Sequence, residues 1–436
     1  MPRLTPRLGA VVAAVTASTA LLATPAQAAE TFPECEPSAV RLDPDKLQDA
    51  LDYADSHLRL SVQVFRDDCL VGEGAGNPLT LDVPWNVWSS TKSVVSMLTG
   101  IAIQRGDLGL DDPIGDHLDR KYGDAAHRAI TVRQLLTETS GLDEAIISEA
   151  ATVGTDPDVV HEAMAQPIEH EPGTDFRYSQ RTPDLLAAVV EDAVGEDLQE
   201  FAQENLFEPI GIERNDWFWL RDRSGHTYGY AHLFIEPRAF AQLGLLAQHG
   251  GAWQGRQVIP ANYLRQAATP TTTNPCYGFL FWTNAAKPCT GASFPSEQTH
   301  DQHAVPSAPR DMFAMVGAFQ QNNFMIPSLD MTVTWTGLFG DTTVNNLGGL
   351  LSAYPADLYD EFFRLLMAAV EDVDVPDPGP LTLPNDFTID PRNYLDPAVL
   401  LRGLAPNPEC NVLVCDGTIP HEGTVQSLQD VLRSLG

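Results

Sequence analysis

The run Trp88-Ser89-Ser90-Thr91-Lys92-Ser93-Val94-Val95-Ser96-Met97-Leu98 places a serine and a lysine three positions apart at the head of an apolar stretch. The stretch keeps helical character to Gln104 and stops at Gly106, a residue type that readily ends helices. At a helix start, Ser89 and Lys92 lie one turn apart on the same face, so hydroxyl and amine can meet. Serine is a weak nucleophile until a base takes its proton. A lysine can do so where burial and nearby positive groups keep it neutral. The helix N-terminus adds partial positive charge and free N–H groups where an oxyanion would develop. The plainer alternative is a capped helix with a surface lysine. It fits poorly, because Lys92 is embedded among Val94, Val95, Met97 and Leu98, and the chain holds only three other lysines, Lys46, Lys121 and Lys287.

Outward from this run the patterning is β, then helical, then β again. Asp43 to Leu58 has helical apolar spacing, Ser61 to Phe65 alternates as a strand, and Cys69 to Val71 returns. Helices are expected over Thr131 to Thr137, Asp156 to Met164, Thr182 to Val194 and Leu198 to Leu206. Strands are expected over Gly278 to Trp282, Met312 to Gln320, Asn323 to Ile326 and Met331 to Thr336, with a closing helix from about Pro355 to Glu371. The expected fold class is α/β (α+β): a mixed, mainly antiparallel sheet flanked by helices, with a helical lobe inserted at about 107–230.

The first residues read as a secretory signal over 1–28. Arg3 and Arg7 open it, an uncharged apolar run follows from Leu8 to Leu22, and Ala26-Gln27-Ala28 offers small residues for cleavage before Ala29. The run is short for a membrane span. The expected organisation is this signal, a catalytic domain over 29–371, and a Pro/Asp-rich linker with a small extension over 372–436. A secreted protein without a membrane anchor is therefore expected. Six cysteines, Cys35, Cys69, Cys276, Cys289, Cys410 and Cys415, then read as disulfides, with short closures pairing them in that order. No Cys-x-x-Cys pair or His-Glu-x-x-His run points to a metal, and neither metal nor cofactor is expected. The formal charge of −33 argues against nucleic acid as a partner.

Trp88 to Ser93, followed by Asp107-Leu108-Gly109-Leu110-Asp111-Asp112-Pro113, resembles the first motif region of class C β-lactamases, DD-peptidases and related esterases. Ile130-Thr131-Val132-Arg133-Gln134-Leu135-Leu136-Thr137 with Thr139-Ser140-Gly141-Leu142 is similar to the segment that follows in that family. Tyr277-Gly278-Phe279-Leu280-Phe281-Trp282 resembles the branch with carboxylesterases and 6-aminohexanoate-dimer hydrolase. The resemblance covers about 42–371. It implies a β-lactamase/transpeptidase-like fold and an acyl-enzyme mechanism with Ser89 as nucleophile and Lys92 as its activating partner.

Tyr178-Ser179-Gln180 occupies the place of the family's Tyr-x-Asn, so the resemblance gives Tyr178 a proton-relay role, and Gln180, in place of Asn, contacts with substrate or Lys92. The third motif falls on Met315-Val316-Gly317-Ala318-Phe319-Gln320-Gln321. There Gly317 would let substrate approach the backbone, and the Ala318 N–H would join that of Ser89 in an oxyanion hole. No lysine or histidine occupies the cationic position of that motif, where Met315 stands, and Gln320 takes the place of a glycine. A carboxylesterase-like or amidase-like hydrolase, acting on a small-molecule ester, amide or peptide-like substrate, is the expected function. A β-lactamase or D-alanyl-D-alanine carboxypeptidase, and an inactive ligand-binding relative, are the alternatives. Trp217, Trp219 and Trp282 are candidates for an acyl pocket or for core packing, and His226 and His232 read as loop or structural residues.

Overall fold

The computed structural model describes residues 32–143, 149, 156–292, 298–338, 354, 356–379 and 381. The expected signal segment, Cys410 and Cys415 lie outside them. Helix α1 (Pro44–Ser56) starts at Asp43, whose carboxylate accepts the N–H groups of Asp45 and Lys46. Strands β1 (Arg59–Arg66) and β2 (Cys69–Glu73) follow, joined by Asp67 and Asp68, both left-handed at φ 51° and 63°. Two successive left-handed residues suit a tight hairpin, because their twist matches that of the strands. Then come β3 (Trp85–Asn86), α2 (Ser90–Arg105), α3 (Arg181–Val194), β4 (Trp217–Trp219), β5 (Leu233–Ile235) and α4 (Pro237–Gln248). They are followed by β6 (Trp282–Thr283), β7 (Phe313–Gly317), β8 (Gln321–Ile326), β9 (Met331–Gly337) and α5 (Asp357–Ala368).

The main sheet runs β2-β1-β9-β8-β7-β6, and every neighbouring pair is antiparallel. Both faces are covered. On one face Trp335 packs on Phe362 of α5 at 4.8 Å between rings, and Phe324 on Phe363 at 5.1 Å. On the other, Asn323 donates to the Phe240 carbonyl of α4 at 2.7 Å. Side chains of a strand alternate between faces, so Phe324 and Trp335 point one way while Asn323 and Thr334 point the other. A second, small antiparallel sheet has the order β3-β5-β4 and brings Trp85 and Asn86 against Ile235 and Phe234. Disulfides join Cys35 to Cys69 and Cys276 to Cys289.

Two expected strands are shorter than the sequence reads. Of Gly278 to Trp282, only Trp282 enters the sheet. Leu280 turns at φ 56°, and the Gly278 N–H bonds the Phe281 carbonyl. The strand expected over Met312 to Gln320 stops at Gly317, and Ala318, Phe319 and Gln320 form a tight turn into β8. Helix α4 was not anticipated from the sequence.

Candidate active site

The N-terminus of α2 is tied down by the hydroxyls of the motif itself. Ser90 donates to the Gln321 carbonyl at 2.8 Å, Ser93 to the Leu280 carbonyl at 2.6 Å, and Thr91 accepts from the Leu233 N–H at 3.3 Å. Three neighbouring segments are thus fixed to one helical turn. Ser89, at the N-cap, makes no capping bond with its side chain and is only half-buried. Its hydroxyl thus takes no part in the bonds that its neighbours make.

Lys92 is 1% exposed, and its Nζ faces three acceptors: Gln180 Oε1 at 2.8 Å, the Tyr230 carbonyl at 3.4 Å and Ser89 Oγ at 3.5 Å. An amine with three hydrogens can serve all three. The Tyr178 ring lies against the same amine, 4.4 Å from Nζ to the ring centre. Burial holds the Tyr178 phenol well above its ordinary range, and Ser89 beside it draws it down only in part. Gln180 is the N-cap of α3, and its N–H donates to Glu149 Oε2 at 3.1 Å. The Tyr230 carbonyl is held from behind, because Asp184 accepts the N–H groups of Gly229 and Tyr230 at 2.7 and 3.2 Å. Asp184 is in turn paired with buried Arg181 at 2.9 Å, and its carboxyl is pushed up to about 6 by burial. Ser89, Lys92, Tyr178 and Gln180 are thus brought into one cluster from α2 and the start of α3.

The β7–β8 turn closes the other side. A Cβ on Gly317 would lie 2.2 Å from the Val87 carbonyl oxygen, so this glycine exists for backbone contact with the segment before Ser89. The sequence expectation put substrate against Gly317; in the fold the Val87 carbonyl lies against it. Phe319 and Gln320 are left-handed, at φ 56° and 62°, without glycine. Arg59 caps their carbonyls, donating to Phe319 at 3.2 Å and Gln320 at 2.9 Å. The Ser90–Gln321 bond and the Gly317–Val87 contact set the Ala318 peptide beside the start of α2. Met315, placed by sequence in the cationic position, is buried and faces Asn323 inside the sheet.

Trp88, itself left-handed at φ 47°, stands between two rings, His232 at 5.3 Å and Phe319 at 5.2 Å. Asn86 fixes this corner: its Oδ1 accepts the Trp88 N–H at 2.9 Å, leaving its Nδ2 to face His232 Nδ1 at 3.1 Å. His232 Nδ1 is therefore the acceptor, and the proton sits on Nε2, facing the Tyr230 hydroxyl at 2.9 Å. Burial, and secondarily the Lys92 charge, push this imidazole down to about 3. His232 is a structural residue, as expected, but one that frames the site. Trp217 and Trp219 are packed in the lobe, their indole N–H groups bonding Gln203 at 2.9 Å and the Tyr228 carbonyl at 2.7 Å. Trp282 packs beside Tyr178 at 5.6 Å.

An apolar groove of about 410 Å³ opens instead along Trp85, Trp88, Phe234 and Phe319. Sequence reasoning missed it because its walls come from distant segments. Among the described residues one group has metal-ligand spacing, Asp158, Asp222 and His226. Those residues already bond helix N–H groups and Tyr122 and lie outside the Ser89 cluster.

The family described as Beta-lactamase matches residues 47–343. The chain belongs to the beta-lactamase family. Esterase EstB of Burkholderia gladioli is 28% identical over 160 residues, 33% of this chain and 41% of that protein. Protein flp of Staphylococcus aureus is 27% identical over 156 residues, 34% of this chain and 30% of that protein, so the chain aligns with under half the length of either relative. A Bacillus anthracis protein provisionally assigned as a 6-aminohexanoate-dimer hydrolase superposes with a TM-score of 0.58 at 14% identity, over 77% of this chain and 85% of that one. At that identity the likeness is one of fold: a mixed α/β beta-lactamase-type architecture. The family is one of hydrolytic serine enzymes, of esterase and β-lactamase kinds.

Proposed function

We propose that this member of the beta-lactamase family is a secreted hydrolase of uncharged esters, and of uncharged amides, working through an acyl-enzyme on Ser89. The observation that carries the reading is the convergence of Ser89, Lys92, Tyr178 and Gln180, with no cationic side chain supplied by the third motif. Lys92 in its unprotonated form takes the Ser89 proton as Oγ attacks the carbonyl carbon. The N–H groups of Ser89 and Ala318 hold the oxyanion. Tyr178, kept a neutral phenol by burial, gives its proton to the leaving group and recovers one from Lys92. Water then releases the acid. Gln180 holds the amine between Ser89 and the Tyr230 carbonyl.

Ester rather than β-lactam turnover follows from charge. Penicillins, cephalosporins and D-alanyl stems carry a carboxylate near the scissile carbonyl, and a buried carboxylate without a partner is costly. The likeness to Esterase EstB supports the ester reading. Secretion is supported by the basic and apolar first residues and by the two disulfides. Labelling with a fluorophosphonate tests the nucleophile. Stoichiometric labelling that maps to Ser89 and vanishes in Ser89→Ala is expected. An unlabelled, folded wild-type protein would favour the inactive ligand-binding alternative.

A further inference from the structure

The groove beside Ser89 has a composition that selects its occupant. Its volume, about 410 Å³, falls in the range of roughly 300–1,000 Å³ typical of small-molecule sites. Four aromatic side chains line it, Trp85, Trp88, Phe234 and Phe319, with Val83 and Leu338, 40% and 45% exposed, also on its walls. Among the described residues, no charged side chain lines it. Its two side-chain amides are already occupied. Asn86 is shared between the Trp88 N–H and His232. Gln321 donates to the Phe319 and Gly337 carbonyls at 2.9 and 2.7 Å and accepts the Gly337 N–H at 2.8 Å. Among the described residues a charged ligand group would find no charged side-chain partner there, whereas an aromatic ring would meet edges and faces of its own kind.

The groove is also placed for one part of a substrate. Trp88 precedes Ser89 and Phe319 follows Ala318, so each candidate oxyanion donor sits one residue from a groove wall, about 3.8 Å along the chain. Tyr178, by contrast, packs against Tyr277 and Trp282, neither of which lines the groove. The leaving group must approach the proton donor, Tyr178, and the group retained on Ser89 must point elsewhere. We propose that the groove is the acyl subsite, and that it takes an uncharged aromatic acyl group of the benzoyl or phenylacetyl class. This rests on the reading of Ser89 as nucleophile.

The walls are rigid for a stated reason. Trp88 is held left-handed by Asn86 and wedged between His232 and Phe319, while Arg59 fixes the carbonyls of Phe319 and Gln320. The site is thus shaped before substrate arrives, which lowers the ordering cost of binding.

Two measurements on the full chain separate this proposal from the nucleophile assignment. The first compares kcat/KM in an acyl series (p-nitrophenyl acetate, benzoate and phenylacetate) with an alcohol series (ethyl and benzyl acetate). At least a tenfold gain from the ring in the acyl series is expected, with less than threefold in the alcohol series. Phe319→Gly keeps the left-handed turn and removes one wall, so it should cut the acyl-series gain severalfold. A ring preference in the alcohol series alone, or none in either, overturns the acyl assignment. The second uses Ser89→Ala and the quenching of tryptophan fluorescence by acetophenone, with benzoate anion as control. Saturable binding of the ketone at least tenfold tighter than the anion, weakened by Phe319→Gly, supports the groove even if the chemistry at Ser89 has been misassigned. Equal or absent binding of both overturns it.

Discussion

Lys92 meets Gln180 at 2.8 Å but Ser89 at 3.5 Å, so in the resting site its strongest neutral partner is the amide and not the nucleophile. The proton path needs that longer contact to tighten, and the Tyr178 ring lies against the same amine, 4.4 Å from Nζ. Lys92→Ala and Tyr178→Phe should each lower kcat by on the order of 10²- to 10⁴-fold, and the double variant should fall little further, because both serve one path. Steady-state kinetics on p-nitrophenyl butyrate check this; a double loss equal to the product of the single losses would show two independent paths.

His232 carries a different consequence. Its folded pKa of about 3 lies below the ordinary 6.5. The unfolded chain therefore binds more protons between those values, and stability rises with pH across the interval and levels off above it. Acidification from pH 6.5 toward 3 should therefore lower the unfolding temperature, and His232→Asn should flatten that slope. A titration of unfolding temperature against pH in both proteins measures it, and parallel curves would remove His232 as the cause.

At the level of elements, the site depends on how the β7–β8 turn lies against the segment before α2. Gly317→Ala drives a methyl into the Val87 carbonyl, a contact of 2.2 Å that neither backbone can easily relieve. Overpacking of this kind costs about 1–3 kcal/mol, and here the displaced peptide is that of Ala318, so turnover should fall with stability. Gly106→Ala is the control. It sits at φ 83° with nothing within 4 Å, so it should cost about 1 kcal/mol by strain alone and leave activity intact. Thermal unfolding paired with kcat separates the two.

The same turn marks where sequence reading ran out. Ser89 with Lys92 and Tyr178 with Gln180 are short-range patterns on helix starts, so spacing and likeness could single them out. Ala318-Phe319-Gln320 contains no glycine, asparagine or aspartate, so it reads as strand. What stabilises its left-handed residues is Arg59, far away in sequence and invisible to a local reading. The groove was illegible for a similar reason, since β3, β5, the turn and the end of β9 meet only in the folded sheets. Of the two readings of Trp217 and Trp219, acyl pocket or core, their burial and hydrogen bonds favour the core.

For the whole molecule the governing quantity is charge. With 59 acidic against 26 basic residues, the chain presents a negative field to any approaching substrate. Fields of this kind act on encounter and on local concentration, and salt screens them. The site does not offset that field through its third motif, because Met315 is turned into the sheet and Arg59 is directed at the turn carbonyls. On the proposed reading, an anionic substrate is repelled at long range, and at short range its carboxylate finds no cation supplied by the third motif. A neutral ester meets neither. Two effects of different range can be separated by ionic strength, since the Debye length falls from about 10 Å at 0.1 M salt to about 3 Å at 1 M. The expected outcome is a higher kcat/KM for p-nitrophenyl butyrate than for the anionic cephalosporin nitrocefin at both salt concentrations. Raising salt should improve nitrocefin severalfold by removing the long-range part, while the ester changes by less than twofold. The residual gap at high salt then measures the missing short-range partner. If nitrocefin is the better substrate at both concentrations, the preference for uncharged esters is wrong, and the β-lactamase alternative takes its place.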